Sequence, residues 1–201
     1  MKIYLIRHED RTMDLTFFSP LTKNGLENSV KLIETLEKEK INSIYSSPYI
    51  RTLQTIYPYS KKYGLKPKLD YSVVELYQEE NIPKKSYTIT LPEYLEESFN
   101  YDKEYTSILE PKDIEFPENI KSFNKRIKDF LKNVIKQNYN TNNNVLISTH
   151  QGVIHYIYNL VKKNNKKNNE GFEIDSIEKY PRGALTKVFE DNKWKFEKIN
   201  W

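Results

Sequence analysis

Short apolar runs that stop abruptly on charged or hydroxylated residues constrain this chain more than any other feature. Ile3 to Ile6 is one such run and delivers Arg7 and His8; the run beginning at Val145 delivers Thr149, His150, Gln151 and Gly152. An apolar run without alternation marks a strand buried on both faces, as inside a parallel sheet covered by helices. Helical patterns lie between these runs. Thr22 is placed to cap a helix in which Leu26, Val30, Ile33 and Leu36 recur at helical spacing. Residues 41–47 read as a second strand. It leads into a helix with Pro48 near its start, Gly64 just beyond its end, and Pro58 expected to kink or shorten it. A third short strand is expected at 68–72. A strongly amphipathic helix is expected over 118–137, with Ile120, Phe123, Ile127, Phe130, Leu131, Val134 and Ile135 on one face. Strand alternating with helix predicts an α/β protein, a three-layer α/β/α sandwich with a largely parallel central sheet.

The other segments read differently. Residues 79–117 are rich in Pro, Glu and Tyr with weak periodicity, which predicts an insertion or cap within a single domain spanning 1–201, partly helical near 91–105. The low-complexity stretch NYNTNNN (138–144) predicts a loose surface loop, and residues 162–170 a solvated basic loop. The last residues predict a closing hairpin with Asp191 and Asn192 in its turn.

Composition removes several classes of function. With 32 basic against 28 acidic residues, the net charge of +4 is too small for a nucleic-acid surface and mildly favours anionic substrates. There are 0 cysteines, so disulfides, thiolate catalysis and cysteine-based zinc sites are excluded. No stretch reaches the roughly 20 apolar residues that span a bilayer, and the first residues lack a signal-peptide pattern, so a cytoplasmic protein is expected. The three histidines offer no metal-ligand spacing, and His155 reads as a helix residue beside the core.

In a parallel sheet the carboxyl ends of the strands lie along one edge, where open α/β sheets bind ligands. That edge would collect Arg7 and His8 from the first strand, Arg51 from the helix after Ser46-Ser47-Pro48, His150 from the later strand, and Glu75. Two guanidinium forks match a phosphate. A histidine can attack phosphorus, and a carboxylic acid can protonate the departing oxygen. The two arginines also hold an adjacent imidazole neutral, the form that attacks.

The segments LIRHE, LTKNG, SSPYIRTLQT, VVELY and ISTHQGVI, followed by PENIKSFNKRI and PRGALTKV, resemble in order and spacing the histidine phosphatase, or phosphoglycerate mutase-like, superfamily. The resemblance covers nearly the whole chain except 79–117. It implies that His8 is the nucleophile and becomes a phosphohistidine, that Arg7, Arg51 and His150 bind the phosphate, and that Glu75 is the proton donor. Glu79 and Glu80 lie close enough in sequence to be alternatives for the last role. Arg11, with Met13 and Asp14, is similar to the RHGERxD pattern of the suppressor phosphatases of T-cell signalling and the insect steroid phosphatases. That similarity implies a second phosphate-binding arginine, although Arg11 also fits a solvent-facing position. Glu9 and Gln151 stand where the family usually has glycine, which places a carboxylate at the expected pocket rim. Asp14 stands where mutases carry asparagine.

These features together imply a metal-independent phosphatase without a cofactor. It would hydrolyse phosphate monoesters of small molecules or phosphoproteins, with neither nucleic acid nor membrane as partner. A phosphoglycerate mutase-type phosphotransferase and a non-catalytic phospho-ligand-binding protein are the alternatives.

Overall fold

A computed structural model describes residues 1–78, 90–165, 180–191 and 193–201. The elements run β1 (Lys2–Arg7), α1 (Lys23–Lys38), β2 (Ser43–Ser46), α2 (Ile50–Tyr63), β3 (Lys68–Leu69), α3 (Glu93–Phe99), α4 (Ile120–Asn138), β4 (Asn144–Thr149), α5 (Gln151–Asn165), β5 (Leu185–Asp191) and β6 (Lys193–Ile199). They form a sheet in the order β3-β2-β4-β1-β5-β6. β1, β4, β2 and β3 are mutually parallel, while β5 and β6 add an antiparallel hairpin at one edge. The expected α/β architecture with a mostly parallel sheet is therefore present.

The apolar runs explain the layers. In β1 the alternate residues Ile3 and Leu5 join Phe123, Ile127, Phe130, Val134, Val153 and Ile157 on the α4/α5 face. Tyr4 and Ile6 point the other way, onto Leu32, Leu36, Ile56 and Tyr59 of α1 and α2. Both sides of the strand are consequently buried, which is why its sequence shows no alternation. A third cluster lies over the carboxyl edge, where Leu91, Phe99 and Ile114 of the predicted cap pack against Phe17, Tyr49, Leu53, Val74 and Tyr77. Residues 79–89 of that cap lie outside the described residues.

Several local expectations change. On α1 the buried positions are Gly25, Ser29, Leu32 and Leu36, whereas Leu26 and Val30 face outward. The helix turns its small residues inward because Gly25 packs directly on the backbone of Asp10, leaving no room for a Cβ. Pro58 does not shorten α2, which continues to Tyr63 and ends on Gly64 at φ +63°. The third strand stops at Leu69 and is followed by a 3-10 turn over Tyr71–Val73. The 138–144 stretch is not a loose loop. Asn138 is buried and donates to Val134 O (2.8 Å), Asn143 donates to Asn138 (2.8 Å), and Asn144 donates to Glu39 O (2.8 Å) and begins β4. Lys162 to Asn165 continue α5 rather than opening a loop. Residues 166–170 of that predicted loop are outside the described residues, as is Asn192 of the predicted turn; Asp191 ends β5.

Candidate active site

β1 and β4 lie side by side with Arg7 opposite Thr149, so His8 and His150 emerge together at the carboxyl edge. Their ring centroids are 5.5 Å apart. Arg51, near the start of α2, reaches back over the same edge, and its Nη2 lies 3.4 Å from His150 Nδ1. Its guanidinium stacks 4.2 Å from the Tyr49 ring, and Nη1 donates to Thr16 O at 2.9 Å. Arg7 Nη1 donates to Tyr180 O at 2.7 Å. In both arginines the buried Nε has no hydrogen-bond partner among the described residues. Two orphaned guanidinium donors beside two histidines are what an anion-binding site would leave, since its oxygens complete the donors.

The hydrogen bonds fix the tautomers. His8 Nδ1 lies 2.8 Å from the carbonyl of Glu9, which can only accept, so Nδ1 carries the proton and the lone pair is on Nε2. Burial first, then the Arg51 and Arg7 charges, hold the His8 pKa well below its usual value, against the opposing pull of the Glu9 carbonyl. His150 shows the reverse pattern. Its Nδ1 faces the donor Arg51, so Nε2–H donates to Ser47 Oγ at 2.9 Å. Burial and Arg51 hold its pKa well below the usual value too. The arginines yield in turn: burial lowers Arg7 and Arg51 to about 10, which leaves both cationic near neutral pH.

Glu75 lies on the segment after the 3-10 turn. Its Oε1 accepts from Leu76 N (3.1 Å) and its Oε2 from Gly152 N (3.3 Å), so it is tied to the start of α5, two residues beyond His150. Its charge acts on Arg7, Arg51 and Arg11. Arg11 is half-buried and donates to Thr12 O at 2.6 Å. Burial and the nearby Arg182 lower its pKa, and its charge reaches both histidines. The structure therefore gathers Arg7, His8, Arg11, Arg51, Glu75 and His150 at one edge.

Glu9 corrects the expectation of a rim carboxylate. It is 3% exposed, receives Asn28 Nδ2 at 3.3 Å, and lies in contact distance of the position a Cβ on Gly183 would take. Gly183 at φ +77° thus makes the space that the missing glycine at 9 would otherwise have left.

Four features were not anticipated from the sequence. Ser47 supports His150, and Tyr49 packs 4.8 Å from the same imidazole while its hydroxyl donates to Tyr77 (2.8 Å). Arg182 pairs with Asp10, whose other oxygen accepts from Thr22 at 2.8 Å. Arg126 and Glu118 form a buried pair behind the Glu75 segment. Only the last had a sequence signal: Arg126 falls among Phe123, Ile127 and Phe130 on the apolar stripe of α4, and a charge there requires a buried partner.

The model of the histidine phosphatase superfamily (branch 1) matches residues 3–201. Among solved structures, the ecdysone phosphate phosphatase of Bombix mori, in complex with tungstate, is similar at 15% identity and TM-score 0.77, covering 100% of this chain and 92% of that one. The alpha-ribazole phosphatase of Shigella flexneri is similar at 17% identity and TM-score 0.65, covering 100% and 96%. A phosphoglycerate mutase of Bacillus anthracis is similar at 18% identity and TM-score 0.61, covering 99% and 92%. No curated protein sequence matches the chain. At these identities the structures show a shared fold, and the family model adds membership: the chain belongs to the histidine phosphatase superfamily.

Proposed function

We propose that this protein is a metal-independent phosphomonoesterase acting through a phosphohistidine on His8. The observation that carries the reading is the His8 tautomer. Its Nδ1–H is committed to Glu9 O, so a neutral imidazole presents the Nε2 lone pair among Arg7, Arg51 and Arg11.

In the first step, Nε2 attacks the phosphorus of a bound monoester and the ester P–O bond breaks. The departing oxygen takes the proton of the Glu75 carboxyl. Charge on the transferring group is met by Arg7 and Arg51, with Arg11 beside them, and His150 lies alongside as a neutral imidazole whose Nδ1 accepts from Arg51. In the second step, water attacks the phosphohistidine, gives a proton to the Glu75 carboxylate, and breaks the N–P bond. Inorganic phosphate leaves and neutral His8 returns. The substrate is a phosphorylated small molecule or phosphoprotein.

The test is a rapid acid quench during turnover of p-nitrophenyl phosphate. A protein-bound phosphate that is labile to acid and stable to alkali is expected, and His8→Ala should lose both this species and nearly all activity. Full activity in His8→Ala would overturn the mechanism.

A further inference from the structure

The segment from Ser72 to Tyr77 belongs to no strand or helix beyond its opening 3-10 turn, yet Ser72, Val73 and Val74 are fully buried. A buried backbone outside regular structure must find partners for its carbonyls elsewhere. Four consecutive carbonyls do so through side chains. Arg126 Nη1 donates to Ser72 O (2.8 Å) and Val74 O (2.9 Å), Thr149 Oγ1 donates to Val73 O (2.6 Å), and Arg126 Nη2 donates to Glu75 O (3.2 Å).

The remaining donors of Arg126 go to Glu118: Nε to Oε1 at 2.7 Å and Nη2 to Oε2 at 2.8 Å. All five N–H groups of the guanidinium are thus committed. Glu118 in turn accepts from Tyr77 N at 3.4 Å, so the pair grips the segment on both sides of Glu75. The two side chains are 5% and 2% exposed. A buried ion pair is weak evidence for stability, because desolvation offsets most of the attraction. What distinguishes this pair is its three donors on the backbone that carries the carboxyl.

We infer that Arg126 is a positioning residue for Glu75: from α4 it fixes the backbone that aims the carboxyl at the leaving-group oxygen. The inference rests on the proton-donor role proposed for Glu75. Arg126 itself touches no reacting atom. An acid displaced by about 1 Å loses much of its benefit, a loss that can reach on the order of 10²-fold. The loss must fall on substrates that need a proton. An alkyl phosphate departs as a poor alkoxide, whereas p-nitrophenolate leaves readily without help.

The test compares wild type, Arg126→Lys, Glu75→Gln and the double variant on glycerol 2-phosphate and p-nitrophenyl phosphate. Lysine keeps the charge beside Glu118 but has three donors for acceptors spread over five contacts. Arg126→Lys should lower kcat on the alkyl ester about tenfold or more, with KM little changed, and cost less than about threefold on the aryl ester. In the Glu75→Gln background it should add almost nothing, because two residues acting as one unit are non-additive. Equal losses on both esters, or a full additional loss in the double variant, would overturn the inference. Should Arg126→Lys not fold, E118Q/R126M removes both buried charges together and is judged by the same ratio of losses. If Glu75→Gln alone fails to discriminate the two esters, the proton-donor reading has failed. If Glu75→Gln discriminates and Arg126→Lys does not, only the positioning inference has.

Discussion

Gly152→Ala separates the chemistry of Glu75 from the stability of the fold. Gly152 is the second residue of α5, and its amide donates to Glu75 Oε2. A Cβ at 152 would meet Glu75 Oε1 well inside contact distance, lie 3.4 Å from the carboxyl carbon, and sit in ordinary contact at 3.5 Å with the Phe123 ring. Only the carboxylate is in the way, and it is the far end of a side chain, held by two backbone amides. Relief therefore means moving the carboxyl on the order of 1 Å, with no backbone shift demanded. A displacement of that size at a reacting group costs on the order of 10²-fold. Complete loss of general acid catalysis spans roughly 10²–10⁴-fold. Hydrolysis of an alkyl phosphate should accordingly fall about a hundredfold, and that of p-nitrophenyl phosphate much less. Stability should hardly change, since alanine in place of a helical glycine contributes about 0.5–1 kcal/mol. At roughly 2–4 °C per kcal/mol for a chain of this size, Tm should stay within about 4 °C of wild type. Steady-state kinetics on both esters and a thermal melt decide the matter. Undiminished alkyl phosphatase activity would mean that Glu75 does not act from this position. A large fall in Tm would mean that the backbone, not the carboxyl, had moved.

Two other outcomes follow from buried groups. Both histidines at the site are held neutral, with folded pKa values below the unfolded value near 6.5, so the unfolded chain binds more protons as pH falls below that value. Stability should therefore drop on acidification, each histidine contributing up to about 1.4 kcal/mol per pH unit. Urea titrations from pH 7 to 5 should give His8→Asn a shallower slope, and an unchanged slope would show that His8 is not buried neutral. Gly183→Ala should cost about 1–2 kcal/mol for the left-handed backbone, plus the displacement of Glu9. Glu9→Ala should restore the second part, giving a coupling of about 0.5–3 kcal/mol in a double-mutant cycle; strict additivity of the two changes would refute the packing argument.

The sequence made the layers legible because β1 and β4 are buried on both faces, so Ile3–Ile6 and Val145–Ile147 appear as unbroken apolar runs. Helix faces were less legible. Apolar periodicity registers large side chains, but α1 approaches its neighbour through Gly25 and Ser29, leaving Leu26 and Val30 outside. Asparagine-rich composition also misled, because Asn138 spends its amide on the Val134 carbonyl within α4 and Asn144, at the start of β4, on the carbonyl of Glu39. In both cases the deciding contacts are backbone ones, which a pattern of side-chain polarity does not encode.

The residues of the candidate site divide along the same line. Arg7 ends β1, and His8 and His150 directly follow β1 and β4, so short local motifs announce them. Their orientation is non-local. His150 is aimed by Ser47, 103 positions away, and Arg7 is held by the carbonyl of Tyr180, 173 positions away. Glu75 is the extreme case, since its segment has neither strand nor helix to set its direction and depends on Arg126, 51 positions along the chain. The sequence could therefore place the acid at the carboxyl edge, with the resemblance to a family assigning its role, but not say what aims it. A charge on the apolar stripe of α4 was the one visible sign of what aims it. Such a charge carries a desolvation cost that well-packed apolar side chains would avoid. The carbonyls it fixes are what that cost secures, which makes the ratio of alkyl to aryl phosphatase activity, rather than melting temperature, the property most sensitive to position 126.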